Sequence, residues 1–395
     1  MSLLALSLAA YAATASPACN IAPTDPQYAA YKANVSHHVP EWFTVDLDKP
    51  PQERWKALVG PAAADIKAMI DAFKAEGGIL TKALFALLEK TFGGYASKLL
   101  EALPAPYSGE IEGIVNATGI GALDIFMYNI MYELSGACTS IVAQDAQGRL
   151  YHGRNLDFGP AKLAAKLRPL LRNLRFVRGG QVVFNSTTFL GYVGCLTCAK
   201  AGAFSVTVDT RMWTKLPDAL VAWILGIDRS GHFLTFATRD AFELGGYADA
   251  VAQLNSTKLL GPAYMIVGGV RAGEGAVLTR DAKESLHYWA LPDSSKPYLL
   301  ETNYVRPRPR PARRHAFPAP TRPSAAAQDH WDGKPHDRRD DGNACMDEQV
   351  AAGAIGFEAL FKTLSAAPTH NEDTTYTTLM SNFDGGFEAY IQTPM

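Results

Sequence analysis

The chain has 395 residues, of which 48% are hydrophobic and 19% charged, a composition typical of a folded globular protein. Its 37 Lys and Arg nearly balance its 39 Asp and Glu, which argues against a nucleic-acid-binding protein, because that class normally carries a basic excess. No stretch after the N-terminus approaches the roughly 18 consecutive apolar residues of a membrane-spanning helix. What remains is a globular protein with room for a large core, and we expect an enzyme.

The first 15 residues (MSLLALSLAAYAATA) form a short apolar run that ends in Ala13-Thr14-Ala15. This ending is typical of a signal-peptide cleavage site, although no basic residue precedes the run. We expect a secretory signal over 1–15; the alternative is an ordinary apolar helix. Four Asn-X-Ser/Thr sequons are compatible with secretion, namely those at Asn34, Asn116, Asn185 and Asn255.

Residues 51–105 predict about three amphipathic helices, separated at Gly77-Gly78 and at Gly93-Gly94. The helical spacing of apolar residues is clear in the series Ala63, Ile66, Met69, Ile70 and Phe73. Residues 121–134 predict a fourth, more buried helix.

Strand patterns begin at Cys138. Residues 138–158 predict a hairpin around the polar turn 145–148. Further strands are predicted at 174–177, 182–184, 204–208, 265–268, 276–279 and 298–302. Helices are predicted at 217–226, 237–254 and 346–365. Runs of strands with grouped helices indicate an α+β fold of stacked antiparallel sheets covered by helices.

Five cysteines are present: Cys19, Cys138, Cys195, Cys198 and Cys345. An odd count in a secreted chain leaves at least one thiol unpaired. Cys195 and Cys198 form a C-x-x-C without the strand-to-helix context of a redox motif, so we expect a local disulfide or two free thiols. A bridge between Cys19 and Cys345 would leave Cys138 over.

Residues 305–328 hold six Pro and six Arg in 24 residues, and such a segment cannot pack a core. One interpretation is a basic arm for an acidic partner or a membrane surface. We favour another, that the segment is a retained intron, because its length is a whole number of codons, a Val codon begins with GT and Gln can be CAG.

The clearest chemistry lies at Cys138, which follows the small residues 135–137 and opens a strand. A thiol at this point can attack the carbonyl of Ala137, and hydrolysis would then release a chain that begins with Cys138. The new α-amine, with an ordinary pKa of about 7.7–8.0, could accept the thiol proton. The alternative is a buried cysteine that only fills space in the core.

Arg154 and Asp157 lie on the return strand of the hairpin and should fall near Cys138. Asp157 could hold the α-amine, and Arg154 could lower the thiol pKa or bind an acyl carbonyl. The alternative is a surface ion pair. We interpret His152 as structural.

The stretch 138–158 (CTSIVAQDAQGRLYHGRNLDF) closely resembles the acid ceramidase and N-acylethanolamine acid amidase family of N-terminal nucleophile hydrolases. Five further motifs do so too: TTFLGYVGCLT (187–197), PAYMIVGG (262–269), GEGAVLTRD (273–281), ETNY (301–304) and YTTLM (376–380). The similarity extends from residue 38 to 392, and residues 39–55 resemble the acid ceramidase branch in particular. The resemblance implies an αββα sandwich with a helical N-terminal α-subunit.

The resemblance also implies residue roles. The proenzyme would cleave itself into an α-subunit, 16–137, and a catalytic β-subunit, 138–395, joined by a Cys19–Cys345 disulfide. Matching the family motifs residue by residue makes Cys138 the nucleophile, Arg154 and Asp157 the active-site pair, and Asn303 a donor of the oxyanion hole. Arg338, in the sequence His336-Asp337-Arg338-Arg339, matches the second active-site arginine.

The function implied is a lysosomal or secreted amidase that splits ceramide into sphingosine and a fatty acid. The alternatives are an N-acylethanolamine amidase and a lipid-binding relative that never cleaves itself; a bile-salt or penicillin amidase fits the long α-subunit poorly. We expect no metal or other cofactor, because the nine His are scattered. The amphipathic helices could meet a membrane or a lipid-presenting activator protein, or only cover the core.

Two features depart from the family pattern. The segment 305–328 separates Asn303 from Arg338 and puts activity in doubt if it is real. Thr210 stands where the family has a glutamate. Threonine cannot titrate, so we expect either compensation by Asp209 or a self-cleavage that is slower or differently dependent on pH.

Overall fold

The computed structural model describes Cys19 and residues 39–93, 95–211, 215–292, 296–303 and 338–392. The predicted signal over 1–15, Asn34, the segment 305–328 and the pair His336-Asp337 lie outside the described residues. None of the described helices is long and apolar enough to cross a membrane.

Helices dominate the chain before Cys138. After the strand β1 (Trp42–Asp46), the described α-helices there are α1 (Lys56–Val59), α2 (Ala63–Glu76), α3 (Ile79–Phe92), α4 (Ala96–Ala102), α5 (Tyr107–Thr118) and α6 (Ala122–Ser135). The three amphipathic helices expected over 51–105 are therefore present as α2, α3 and α4, and the helix expected over 121–134 is α6. Helix α5 and strand β1 were not predicted.

The apolar stripes of these helices face inward. Ile66, Met69 and Phe73 of α2 are buried, as are Leu84 and Leu88 of α3, and all join the main hydrophobic core. Side chains three or four residues apart lie on one face of a helix, so the spacing read from the sequence fixes this face. These apolar stripes therefore cover the core. That was one of the two roles considered for the helices, the other being contact with a membrane or an activator protein.

Strands and shorter helices make up the rest. The strands are β2 (Gly136–Gln144), β3 (Leu150–Phe158), β4 (Leu171–Arg178), β5 (Gln181–Phe189), β6 (Thr197–Lys200), β7 (Phe204–Thr210), β8 (Ala263–Gly268), β9 (Gly275–Arg280), β10 (Ser285–Ala290), β11 (Tyr298–Glu301), β12 (Thr374–Ser381) and β13 (Gly386–Ile391). The helices are α7 (Ala161–Leu167), α8 (Asp218–Ile224), α9 (Leu234–Asp240), α10 (Tyr247–Ser256), α11 (Arg338–Ala351) and α12 (Phe357–Ser365).

Two sheets stack face to face. One has eight strands in the order β1-β4-β5-β6-β7-β8-β9-β10, and the other has five in the order β11-β2-β3-β12-β13. Strand β2 faces β7 across the gap, α12 packs on β3 from outside, and α10 packs on β8. This is the expected α+β sandwich, with one difference: β1 pairs with β4 in parallel.

Two predicted helices are each divided in two. The segment 237–254 contains the end of α9 and most of α10, which are separated by a short turn and by Gly245-Gly246. The segment 346–365 contains parts of α11 and α12, with Gly353 between them at a φ of 66°. In both cases apolar spacing continued across the glycines and hid the break, since glycine accepts backbone conformations that end a helix.

The cysteine pairing is resolved. Cys19 is bridged to Cys345, 326 residues away, and Cys195 is bridged to Cys198. The C-x-x-C is therefore a local disulfide, and Cys138 is left as a buried free thiol.

A buried ion pair ties the N-terminal helices to the later chain. Glu110 of α5 accepts hydrogen bonds from Arg239 of α9 at 2.6 and 2.7 Å, from Arg54 at 2.8 Å and from the Trp55 indole at 2.8 Å. Burial alone would raise the pKa of Glu110, but the charge and hydrogen bonds of Arg239, with those of Arg54 and Trp55, lower it below its ordinary value. Glu110 is therefore an ionised, fully paired carboxylate at the centre of this contact.

Candidate active site

The hairpin of β2 and β3 places the nucleophile candidate between the sheets. Cys138 pairs with Leu156, and Ser140 pairs with Arg154. Because alternate residues of a strand point to the same side, Cys138 and Ser140 share the face of β2 that meets β7. The pairing brings Arg154 onto the same face, where its Nη2 donates to Cys138 Sγ at 2.7 Å.

Cys138 is fully buried in the intact chain. Besides Arg154, its Sγ contacts the hydroxyl of Tyr132 at 2.8 Å. Burial raises the pKa of the Cys138 thiol to about 12, even though the Arg154 cation favours the thiolate; Asp209 and Asp157 add to the rise. The thiol is therefore neutral before any cut is made.

The guanidinium of Arg154 is held on both sides. Its Nη1 donates to the carbonyl of Leu196 at 2.8 Å and to Thr197 Oγ1 at 2.6 Å. Its Nη2 also donates to the carbonyl of Val208 at 3.2 Å. These contacts fix the cation beside the sulfur.

A second cluster binds the backbone of Cys138. Arg338 Nη1 donates to the Cys138 carbonyl and to Asp157 Oδ2, both at 3.0 Å. Asn303 Oδ1 accepts from the Cys138 N–H at 2.9 Å and from Arg338 Nη2 at 2.8 Å. All five residues expected in the site, Cys138, Arg154, Asp157, Asn303 and Arg338, thus meet around Cys138.

The carboxylate of Asp157 lies in an almost closed environment. Burial raises the pKa of Asp157 above its ordinary value, while Arg338 opposes the rise. Thr374 Oγ1 donates to Asp157 Oδ1 at 2.6 Å and Asn371 Nδ2 lies 3.4 Å from Oδ2. Strand β12 and its preceding turn therefore complete the pocket around Asp157.

The donor atom of Asn303 is already occupied. Its Nδ2 donates to the carbonyl of Thr210 at 2.8 Å, and its acceptor oxygen faces Cys138. In the intact chain, one of the two Nδ2 protons is therefore committed to Thr210, and the other is left for a second acceptor.

A row of polar side chains runs beside the nucleophile. Ser140 Oγ donates to Asp209 Oδ1 at 2.7 Å and accepts from Thr207 Oγ1 at 2.9 Å, and Thr207 contacts His152 Nε2 at 2.9 Å. Burial raises the pKa of Asp209 to about 8, and its Oδ2 has no hydrogen-bond partner among the residues that the structure describes. Burial, with Arg154 nearby, lowers the pKa of His152 to about 3, so this ring is neutral.

Sequence reasoning missed several contacts of the site. Tyr132, Thr197 and Thr374 each bind a predicted site residue, but no role was assigned to them from the sequence. Of the three, only Thr197 lies in a quoted family motif, as the last residue of 187–197. Tyr132 resembles an ordinary core aromatic of α6, and only its position six residues before Cys138 could have drawn attention to it. Over the described parts of the chain, no group of three or more His, Cys, Asp or Glu could hold a metal ion.

Comparison with known proteins places these features in a family context. A family model described as the beta subunit of N-acylethanolamine-hydrolyzing acid amidase matches residues 39–100, which precede Cys138. Acid ceramidase of Homo sapiens is 34% identical over 366 residues, 89% of this chain and 86% of that protein. Acid ceramidases of Bos taurus and Mus musculus are 33% and 31% identical, with the same coverage.

Among solved structures, the Caenorhabditis elegans ortholog of N-acylethanolamine-hydrolyzing acid amidase matches with a TM-score of 0.51 and 25% sequence identity. The match covers 65% of this chain and 100% of that chain. It agrees with the stacked sheets described above.

Proposed function

Because the chain belongs to the acid ceramidase and N-acylethanolamine acid amidase family of N-terminal nucleophile hydrolases, we propose that it is a self-processing hydrolase of ceramide. It cleaves the amide bond of ceramide and releases sphingosine and a free fatty acid. The observation that carries this proposal is the buried Cys138 thiol, with Arg154 bound to its sulfur and with Asn303 and Arg338 bound to its backbone.

Self-cleavage comes first in this proposal. The Cys138 sulfur attacks the carbonyl carbon of Ala137, and the bond from that carbon to the Cys138 nitrogen breaks. The thiol proton passes to the departing nitrogen, which becomes the α-amine. Water then hydrolyses the thioester and leaves the fragments 16–137 and 138–395. Two hydrogen bonds support this step: the one at the Cys138 N–H holds the reacting peptide, and the one at the Cys138 carbonyl fixes the backbone just after it.

The same sulfur then acts on the lipid. With the α-amine as general base, the Cys138 thiolate attacks the amide carbonyl of ceramide, and Arg154 stabilises the negative sulfur. The α-amine returns its proton to the leaving amine of sphingosine. Water hydrolyses the acyl thioester and regenerates the thiol. Asp157 is paired with Arg338 and lies close enough to the Cys138 backbone to orient the amine.

The oxyanion needs a donor, and Asn303 is the proposed source. Its Nδ2 donates one proton to the Thr210 carbonyl, which orients the amide, and the second proton is the one proposed to bind the oxyanion. One such donor typically contributes about 2.7–4 kcal/mol to stabilising the transition state.

An N-acylethanolamine amidase is the second candidate, favoured by the family model and the solved structure named above. The two activities differ only in the leaving amine. Rates on ceramide and on N-palmitoylethanolamine, measured side by side, separate them. A lipid-binding protein that never cleaves itself is the remaining possibility, and it predicts no activity on either lipid.

The location and partners belong to the same proposal. We place the protein in the lysosome or outside the cell, and the sequon residue Asn116 is exposed and accessible to a glycosyl group. Contact with a membrane surface or a lipid-presenting activator protein is supported by the exposed apolar side chains of Ile79 and Tyr95. The proposal includes no metal or other cofactor.

The decisive test is N-terminal sequencing of protein incubated at acidic pH, together with ceramide hydrolysis. We expect a fragment that begins at Cys138, and neither fragment nor activity in Cys138→Ala. Cleavage at this point in Cys138→Ala, or hydrolysis by uncut protein, overturns the proposal. A variant that lacks 305–328 is tested beside the full chain. If only the shortened variant hydrolyses ceramide, the segment 305–328 is what makes the full chain inactive.

A further inference from the structure

Tyr132 touches the reacting sulfur from the other side of the proposed cut. Its hydroxyl lies 2.8 Å from Cys138 Sγ and accepts a hydrogen bond from Arg154 Nη2 at 3.1 Å. The same hydroxyl donates to the carbonyl of Val208. Tyr132 belongs to α6 and is buried, so cleavage before Cys138 would assign it to the fragment that does not carry the nucleophile.

The direction of these hydrogen bonds follows from counting protons. A tyrosine hydroxyl has one proton, and here it is donated to Val208. The Cys138 thiol must therefore donate its proton to the Tyr132 oxygen while it is neutral. When the thiol loses its proton, the Tyr132 hydroxyl can turn and donate to the thiolate instead. The Val208 carbonyl keeps a donor after this change, because Arg154 Nη2 also reaches it at 3.2 Å.

Tyr132 remains a hydroxyl throughout. Burial raises its pKa well above the ordinary value; Cys138 and Asp209 add to the rise, and Arg154 opposes it. Asp157 on β3 and Tyr376 on β12 are further titratable side chains that act on the Tyr132–Cys138 pair. The hydroxyl is therefore available as a donor to sulfur over the whole working pH range.

Helix α6 is held in place by contacts that do not depend on the Ala137–Cys138 peptide bond. The Tyr128 hydroxyl donates to the carbonyl of Leu190 at 3.0 Å, and Glu133 Oε1 accepts from the Leu234 N–H at 3.0 Å. Thr210 Oγ1 donates to the carbonyl of Tyr132 itself at 3.2 Å. Cutting the chain removes none of these contacts, so Tyr132 keeps its position.

Gly136 supplies an independent sign of how closely this ring is fitted. A Cβ atom added at Gly136 would lie 2.4 Å from Cε2 of Tyr132 and 2.9 Å from Thr210 Oγ1. Contacts this short do not occur in folded proteins, so a Cβ at this position would require the Tyr132 ring to shift. The glycine two residues before the nucleophile thus makes room for Tyr132.

We propose that Tyr132 is a further catalytic residue, supplied by the N-terminal fragment, which donates its hydroxyl to the Cys138 thiolate in self-cleavage and in substrate turnover. This inference rests on the proposed function, because it assumes that Cys138 is the nucleophile.

Tyr132→Phe tests the proposal, with Tyr128→Phe as the matched control one turn earlier on α6. Three experiments are made. The first follows the rate at which the fragment starting at Cys138 appears, and the second gives kcat and KM on ceramide. The third records the pH profile of Cys138 alkylation by iodoacetamide in cut protein. Since a hydrogen bond to a charged group is lost, we expect Tyr132→Phe to raise the thiol pKa by about one unit and to lower kcat about tenfold. KM should change less than about twofold. Tyr128→Phe removes a contact that anchors α6 but none to the sulfur, so it should keep the wild-type thiol pKa and lower kcat much less than Tyr132→Phe does.

Gly136→Ala is the second variant. Its added Cβ displaces the Tyr132 ring without removing the hydroxyl, and we expect the same direction of change. If Tyr132→Phe prevents cleavage while its melting temperature equals that of Tyr128→Phe, the role in self-cleavage is supported. Equal thiol pKa, kcat and cleavage rate in the two Phe variants overturn the inference. If the wild type hydrolyses neither lipid, the proposed function is contradicted instead. The alkylation profile would then still show whether Tyr132 affects the Cys138 thiol pKa.

Discussion

Arg338 forms a nearly buried ion pair with Asp157, and the nitrogen that makes it, Nη1, also donates to the carbonyl of Cys138. The carboxylate therefore fixes the cation, and the cation fixes the backbone on the C-terminal side of the bond proposed to break. A change at Asp157 should affect both the stability of the fold and the rate of cleavage.

We predict that Asp157→Asn lowers the free energy of unfolding by about 3 kcal/mol, because it removes the negative half of a nearly buried ion pair with Arg338. Self-cleavage should slow as the Cys138 backbone loosens. Chemical denaturation and N-terminal sequencing measure the two effects. Asp71→Asn is the control, since Asp71 pairs with Lys67 at 2.8 Å with both side chains more than half exposed, and it should change stability by less than about 1 kcal/mol. Equal effects of the two variants would contradict the prediction.

Arg154→Lys should lower kcat by about 10- to 100-fold, since an ammonium group cannot span Leu196, Thr197 and Cys138 as the planar guanidinium does. The thiol pKa should rise in the alkylation profile, because the cation moves away from sulfur. Arg178→Lys alters a surface pair with Glu243 and should leave both quantities unchanged. If Arg154→Lys keeps wild-type kcat, the guanidinium has no role in catalysis.

Stability should fall as pH rises, owing to Glu133. Burial raises the pKa of Glu133 to about 8, although the Leu234 N–H opposes the rise. A carboxyl whose pKa is raised by folding stabilises the fold fully below its ordinary pKa, and this contribution is lost as pH rises through about 8. The melting temperature should therefore fall from about pH 5 to about pH 8. Glu133→Gln keeps the acceptor for the Leu234 N–H and should make the melting temperature fall less steeply with pH. The fall that remains is the part due to the buried Asp209. Glu101→Gln changes an exposed carboxylate and should leave the fall unchanged. If the melting temperatures of the wild type and both variants fall in parallel, the assignment to Glu133 is wrong.

Thr210→Val should slow self-cleavage about fivefold, because it removes the hydroxyl that donates to the Tyr132 carbonyl and costs about 1 kcal/mol. Thr210→Ser keeps that hydroxyl and should behave as the wild type. The rate at which the Cys138 fragment appears measures both. If Val and Ser variants cleave at the same rate, the Thr210 hydroxyl does not position Tyr132.

The disulfide between Cys19 and Cys345 predicts how the cut protein behaves on a denaturing gel. The two fragments should migrate together without reductant and separate with it. Cys345→Ser should separate without reductant, whereas Cys198→Ser, which breaks only the local bridge to Cys195, should not. Separation of unreduced wild-type fragments would show that the long-range bridge is absent.

The layered fold could be predicted where local pattern and packing agree. Helix α2 and the hairpin of β2 and β3 show this, because one apolar stripe and one polar turn fix each element. Strand β1 could not be predicted, because it is held by parallel pairing with β4, more than 120 residues later. The breaks at Gly245-Gly246 and Gly353 were missed, since apolar spacing continues on both sides of them.

The five residues that meet around Cys138 were singled out because the family resemblance carries them residue by residue, whereas composition or spacing alone would have reached only the hairpin. Their partners were not found. Tyr132 acts through a hydroxyl whose neighbours come from β2, β3 and β7, and Thr374 reaches Asp157 from a strand more than 200 residues away. Such contacts depend on how the sheets stack, which a single sequence does not specify.

The pair of Glu110 and Arg239 has a consequence for how the protein can be made. One partner lies on each side of the proposed cut, so a 138–395 half synthesised alone would bury the Arg239 charge without its carboxylate, at a cost of about 3–5 kcal/mol, whereas Glu110 would keep Arg54. The halves therefore have to fold as one translation product before they are separated. Two genes that encode 16–137 and 138–395 separately should yield aggregates in place of enzyme, and a mature protein that is reduced and unfolded should not regain its native state.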